Sequence, residues 1–407
     1  MRLLVWNIQF FTLYRIADDR HIVNKKTGKT VREPMISAMQ SMLNLNLIVD
    51  TVRRANADIF VVIEVLSGQG AIGGLISGNG SQAVLYLLEQ LRKQQNDWCL
   101  VPLLRTVNQD HLASKTYTEG VGVFYRSANL DFIGPYVWPN AAPPPGVEKV
   151  AVPAGVAAGA YPPPWNNCLP ANNFYAGQAR FFADVARTRE LTFPKPYHRR
   201  PFLTRFNERA GQQRTITLLS VHTAPNNKLA NQGTATMTHI REIGGDGDGK
   251  TANAGPPIAA NEVVLVAGDF NINLLGSSTK QGGYDLFKFA GYLRHFSPAH
   301  SSTTIRDVSR ATPYVGASDY YSKPEALDNV LSKYGTTANG NRPAANGNPL
   351  VIDRVAGVTG FPSDMLRSLN YIVHTAKPIS LFREIANYGH IGNYPGVSDH
   401  LPIMLDV

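Results

Sequence analysis

Asp58-Ile59-Phe60-Val61-Val62-Ile63-Glu64 is an unbroken apolar run held between two carboxylates. Its length and branched residues predict a strand buried on both faces. Glu64 then stands at the end of a buried strand, where an ion is costly to desolvate unless it meets a cation, a hydrogen-bond partner or a substrate. The same pattern recurs on either side of this run. Arg2 to Ile8 alternates and reads as a strand with Asn7 at its end. Arg214 to His222 is a strong strand closed by a histidine, and Glu262 to Gly268 leads into Gly268-Asp269-Phe270-Asn271. Asp328 lies in the strand-like stretch Ala326 to Ser332, and Ser398-Asp399-His400 precedes a last strand, Leu401 to Val407. Any one of these endings alone reads as a turn residue or a cap. Their recurrence along one chain predicts a common site.

Helical periodicity separates the strands. Met35, Met39, Met42, Leu43, Leu47, Ile48 and Val52 predict an amphipathic helix over Pro34 to Ala55. Further helices are expected at Ser81 to Gln95 and Asn226 to Ile243, and further strands at Trp98 to Leu104, Val121 to Arg126 and Arg200 to Phe206. This is an α/β (α+β) pattern. Three stretches interrupt it: 139–170 with two runs of three prolines, 244–257, and 335–349. Strands of one pattern continue on both sides, so these read as surface insertions in a single domain over 1–407. A hydrophobic content of 43% over 407 residues supports a large core.

The 39 Lys and Arg exceed the 30 Asp and Glu, giving a formal charge of +9. A basic excess attracts polyanions, although a basic surface without a partner has the same composition. Charged residues at 17% exclude a disordered, highly charged chain. Cys99 and Cys168 exclude a disulfide framework and leave a single pairing open. The apolar start, Met1 to Asn7, is too short for a signal peptide, and no apolar run approaches the ~20 residues that span a bilayer. Compartment and oligomeric state are left open.

The residue types at these strand ends suit phosphodiester chemistry. A hard cation such as magnesium prefers carboxylate and amide oxygens, which Glu64 and Asn7 supply. Asp269 and Asn271, two apart on an extended segment, would share one face and serve a water and a phosphate oxygen. The alternative reading of Asp-x-Asn is an Asx turn. Histidine titrates near neutrality and serves as acid or base.

In chain order the sequence carries Leu4-Val5-Trp6-Asn7, Asp58 to Glu64, Glu119-Gly120-Val121-Gly122-Val123-Phe124-Tyr125-Arg126 and Arg200-Pro201-Phe202. Then come Leu219-Ser220-Val221-His222-Thr223-Ala224-Pro225, Gly268 to Asn271, Leu327-Asp328-Asn329-Val330 and Ser398-Asp399-His400. This ordered set resembles the endonuclease/exonuclease/phosphatase superfamily, in its deoxyribonuclease I-like branch. The resemblance implies a two-sheet β-sandwich flanked by helices, with the site where strand ends converge. It implies Glu64 as principal metal ligand, with Asn7 and Asp399 near the same cation. That cation would be magnesium, with manganese or calcium as alternatives. Asp269 and Asn271 would handle water and phosphate, Asp328 would orient His400, Glu119 would pair with His222, and Arg126 would reach a phosphate.

The function implied is an endonuclease acting on DNA, with RNA a further substrate and little sequence preference. A phospholipid phosphodiesterase resembling sphingomyelinases is the enzymatic alternative, with Tyr161 and Trp165 of the Pro-rich insertion as its membrane-contacting aromatics. A non-catalytic scaffold is the third reading, and retention of the whole residue set argues against it. The sequence departs from the family pattern at Ile63, where many members have Gln. At Asn329, inositol polyphosphate phosphatases show Arg. His222 points away from the abasic-site endonuclease branch. The basic cluster His198-Arg199-Arg200 reads as solvated surface rather than a contact to a polyanion backbone, Arg200 as supporting the site or packing locally, and Trp6 and Phe10 as core rather than base-stacking residues.

Overall fold

The computed structural model describes residues 1–17, 21–23, 30–32, 35–68, 75–107, 118–134, 164–168, 191–240, 243, 258–274, 281–296, 326–335, 350–351, 398 and 400–407. Residues 244–257, most of 139–170 and 336–349 lie outside them, as do Tyr161 and Asp399.

In chain order the elements are β1 (Arg2–Phe11), α1 (Leu13–Ile16), β2 (His21–Val23), β3 (Thr30–Arg32), α2 (Met35–Ala55), β4 (Ile59–Leu66) and α3 (Asn79–Gln94). There follow β5 (Trp98–Val101), β6 (Glu119–Arg126), β7 (Leu130–Gly134), β8 (Phe202–Glu208), β9 (Thr215–His222), α4 (Asn227–Met237) and β10 (Glu262–Asp269). The last are α5 (Gly282–Phe289), β11 (Leu293–Arg294), β12 (Asp328–Tyr334), β13 (Leu350–Val351) and β14 (Ile403–Asp406).

Two six-stranded sheets result, ordered β13-β14-β1-β4-β6-β5 and β11-β12-β10-β9-β8-β7. Both are mixed. β1 runs parallel to β4 and β9 parallel to β10, while the other pairs are antiparallel. Parallel neighbours need a long crossover, and α2 and α4 supply the helices within the two crossovers.

Side-chain parity shows the layers. On β10, Val263, Leu265 and Ala267 join the core shared with the first sheet, whereas Val264 and Val266 pack with Ala230 and Met237 of α4 and Phe287 of α5. β9 divides in the same way, Ile216 and Leu218 against Leu219 and Val221. The inner face therefore carries every second residue, and Asp269 and His222 share the parity of the inner set. β4 is buried on both faces because α2 and α3 cover the side away from the second sheet, with Val52, Leu87 and Leu91 in its cluster. The chain is a sandwich flanked by helices.

Close approach fixes one glycine. Gly268 has φ +148, and a Cβ there would lie 2.0 Å from the Val221 carbonyl oxygen on the neighbouring strand. Only glycine lets β10 run against β9 up to the residue before Asp269.

Candidate active site

Register, more than chain proximity, assembles the site. Asp269 is opposite His222 across the parallel pair β9–β10 and opposite Asp328 across the antiparallel pair β10–β12. His222, Asp269 and Asp328 thus form one row across three adjacent strands. The other sheet faces this row with Asn7, paired in register with Ile63, with Glu64 one residue on, and with Glu119 at the start of β6.

Two histidine–carboxylate pairs frame Asp269. His222 Nδ1 lies 2.9 Å from Glu119 Oε1, and His400 Nδ1 lies 2.8 Å from Asp328 Oδ2. Their other ring nitrogens both face Asp269 Oδ2, at 3.6 Å from His222 Nε2 and 3.7 Å from His400 Nε2. All five residues are buried. A carboxylate at Nδ1 sets the tautomer, leaving Nε2 to face the reacting space. The Trp6 indole donates to the His400 carbonyl at 2.9 Å, while Ser398 Oγ donates to the Asn7 carbonyl and accepts from the His400 amide. These bonds lock the segment before β14 onto β1. Asp399 lies outside the described residues.

Asn7 bridges two carboxylates, its Nδ2 donating to Asp269 Oδ2 at 2.9 Å and to Glu64 Oε1 at 3.3 Å. Only an NH₂ can face two carboxylates, so the amide orientation is fixed. Its Oδ1 is buried and has no hydrogen-bond partner among the described residues. Such an atom calls for a donor or a cation. Glu64, with φ +62, also accepts the Phe10 amide on Oε2 at 3.2 Å.

Asn271 departs from its expected geometry. β10 ends at Asp269, Asn271 has φ +48, and its amide donates to Asp269 Oδ1 at 2.8 Å while its side chain donates to the Thr223 carbonyl at 3.1 Å. The Asp-x-Asn stretch is an Asx turn, and it is this turn that orients Asp269. Of the six non-glycine residues with positive φ among those described, Phe10, Glu64, His198 and Asn271 lie in or beside this cleft. Strain of ~1–3 kcal/mol each is characteristic of functional sites.

Arg199 is the residue that sequence reasoning missed. Its Nη1 is 2.7 Å from His222 Nε2 and 2.6 Å from the Thr223 carbonyl, and its Nε is 3.1 Å from Glu119 Oε1. Far from being solvated, its side chain is 8% exposed. Arg200 does pack locally, its guanidinium over the Phe193 ring. Arg126 is placed elsewhere. It closes β6 at the end opposite Glu119, bonded to Asp97 at 2.7 Å and Gln95 at 2.6 Å, with Trp98 beneath it. The eight-residue strand spans ~23 Å, so the expected phosphate contact gives way to a structural one. Trp165, expected on a membrane-contacting hairpin, is buried in the core of the first sheet. Phe10, expected in the core, is 42% exposed.

No family model matches the chain, and no curated protein matches it. Among solved structures it is similar to an endonuclease/exonuclease/phosphatase family protein from Leptotrichia buccalis (13% identity, TM-score 0.41, covering 100% of this chain and 98% of that one). It is also similar to D. rerio TDP2 complexed with single-strand DNA product (9%, TM-score 0.43, 100% and 97%). A third is a mannosyl-6-phosphatase from Bacteroides thetaiotaomicron (11%, TM-score 0.42, 100% and 98%). The architecture itself is two mixed sheets flanked by helices. Similarity at this level says nothing of chemistry, which rests on the residues of the cleft.

Proposed function

We propose that this cleft hydrolyses phosphodiesters with the help of a divalent cation, and that nucleic acid, DNA first, is its substrate. The observation that carries the reading is the pair of dyads, Glu119–His222 and Asp328–His400, whose Nε2 atoms converge on the Asp269 carboxylate at 3.6 and 3.7 Å, with Glu64 Oε1 3.4 Å from His222 Nε2. Displacement at phosphorus needs a proton taken from water and another given to the leaving oxygen, on opposite sides of the phosphate. Two imidazoles flanking one point supply both, each held in the required tautomer by its carboxylate.

The donor set fits a hard cation. Glu64 and Asn7 offer a carboxylate beside a buried amide oxygen without a partner, and Asp269, Asp328 and His400 form a second group with ligand atoms within 4.8 Å of one another. Magnesium suits these oxygens, with Asp399 the expected further ligand. When bound, the ion neutralises non-bridging oxygens and polarises the phosphate. The chain's own groups do the rest. Asp269, held by the Asn7 amide and the Asn271 turn, accepts from the attacking water. Arg199 uses its planar donor fork to tie Glu119, His222 and the Thr223 carbonyl together, and its fixed charge stands against the His222 lone pair.

Plasmid DNA, RNA and sphingomyelin vesicles, assayed side by side with and without chelator, test this reading. We expect chelator-sensitive cleavage of DNA that is lost in His400→Ala prepared identically. Hydrolysis of sphingomyelin alone, or equal nicking by both proteins, would overturn it.

A further inference from the structure

The β1–β4 pairing contains an irregularity that the chemistry above does not use. Asn7 is paired with Ile63 and Phe11 with Val65, so Ile8, Gln9 and Phe10 together oppose the single residue Glu64. Bulges of this kind re-aim side chains beside active sites. Here the bulge turns Phe10 to φ +50, points its amide at Glu64 Oε2 at 3.2 Å and leaves its side chain 42% exposed, whereas Ile8 and Phe11 are wholly buried. A bulky residue with positive φ is an outlier that persists only where the surroundings impose it. The Phe10 amide bond to Glu64 puts the residue that carries this ring next to Glu64. Exposing an aromatic ring at the lip of a polar cleft also forgoes burial of apolar surface, and a ligand that covers the ring restores it.

We propose that Phe10 is a substrate-contacting residue, a stacking platform for the nucleobase next to the scissile phosphate. The proposal rests on the nuclease reading and adds to it a preference for substrates whose bases can unstack. The half-exposed Phe10 ring suits one base face, since base–aromatic stacking needs only a flat π surface and tolerates any base. Lodging in a bilayer needs a broader apolar face. Of the two aromatics nominated for membrane contact, Trp165 is buried and Tyr161 lies outside the described residues.

The test compares two single-stranded oligonucleotides of the same length, one with ordinary bases and one with abasic tetrahydrofuran units flanking the cleavage position. KM and kcat are measured on each for the wild type, Phe10→Ala, Phe10→Leu and Phe10→Trp. Wild type should show the lower KM on the base-bearing strand. Phe10→Ala and Phe10→Leu should raise that KM roughly ten-fold, the lower part of the range for one stacked base, with kcat and the abasic KM unmoved. Phe10→Trp should restore it. Equal effects on both strands, or a fall in kcat alone, would make Phe10 a support for Glu64 and sink the stacking assignment while the nuclease reading stood. No cleavage of either strand by wild type would remove both. Loss of sphingomyelin hydrolysis in Phe10→Ala, with oligonucleotide cleavage unmoved, would give the ring to a lipid.

Discussion

An arginine has no acceptor atom, so the 2.7 Å approach of Arg199 Nη1 to His222 Nε2 places the lone pair on Nε2 and the proton on Nδ1, facing Glu119. Arg199→Ala should therefore lower kcat/KM on a phosphodiester by roughly 10–100-fold, and Arg199→Lys should recover little because a point charge cannot reproduce the fork. Full activity in the lysine variant would show that charge alone suffices. His222→Ala and His400→Ala should each cost ~10²–10⁴ in kcat, with the double variant far short of the product of the two. Strictly multiplicative losses in a kinetic cycle would mean that the dyads do not act as a unit. His222, Asp328 and His400 were legible in the sequence because polar groups closing apolar runs are rare and costly, whereas Glu119 and the pairings came only from the family resemblance. Arg199 was not legible. It lies in a tri-basic run that has the composition of solvated surface, and its partners come from β6 and β9. Arg126 misled for the opposite reason: a strand-end position does not tell which end of the sheet bears the site.

Among the elements, the buried strands and amphipathic helices followed from periodicity, and their disagreements with the structure lie at ends and edges. β7 (Leu130–Gly134) and α5 (Gly282–Phe289) were missed because each is short, and pairing with β8 and packing against α4 settle what local pattern cannot. What no strand-by-strand reading contains is register, and register alone aligns His222, Asp269 and Asp328. Gly268 guards that alignment, so Gly268→Ala should destabilise the fold by ~2 kcal/mol or more and depress activity in the remaining folded protein. An unchanged thermal midpoint would contradict the close approach of β9 and β10. At the second sheet's edge, burial pushes His295 from its usual 6.5 down to about 4, with its ring 2.7 Å from Ser332 Oγ. The unfolded chain binds this proton first, so the stability contributed is fully present above pH 6.5 and is lost as pH falls towards about 4. His295→Gln should flatten the urea-unfolding profile over that interval by up to ~3 kcal/mol. An unaltered pH slope would remove this assignment.

For the whole molecule, the charge of +9 bears on association more than on fold. If duplex DNA is held by its backbone, cleavage at subsaturating DNA should fall steeply and log-linearly with salt and vary little with sequence. A flat salt profile would argue for a small or uncharged substrate. The division into two sheets was implied by the resemblance of the ordered motifs, because apolar runs show strands and not how they are shared between sheets. Which surface bears the insertions falls outside the described residues, as does Asp399. The central claim is that carboxylates from one sheet and dyads spanning both make one cation-dependent hydrolytic site. Its most direct test is plasmid nicking by the chelated protein as magnesium is added back, for wild type and Glu64→Gln in parallel. We predict no nicking before magnesium, saturable recovery in wild type, and a Glu64→Gln curve displaced to much higher magnesium or lost while the circular dichroism spectrum is unchanged. Nicking that survives chelation, or superimposable curves for the two proteins, would contradict the account.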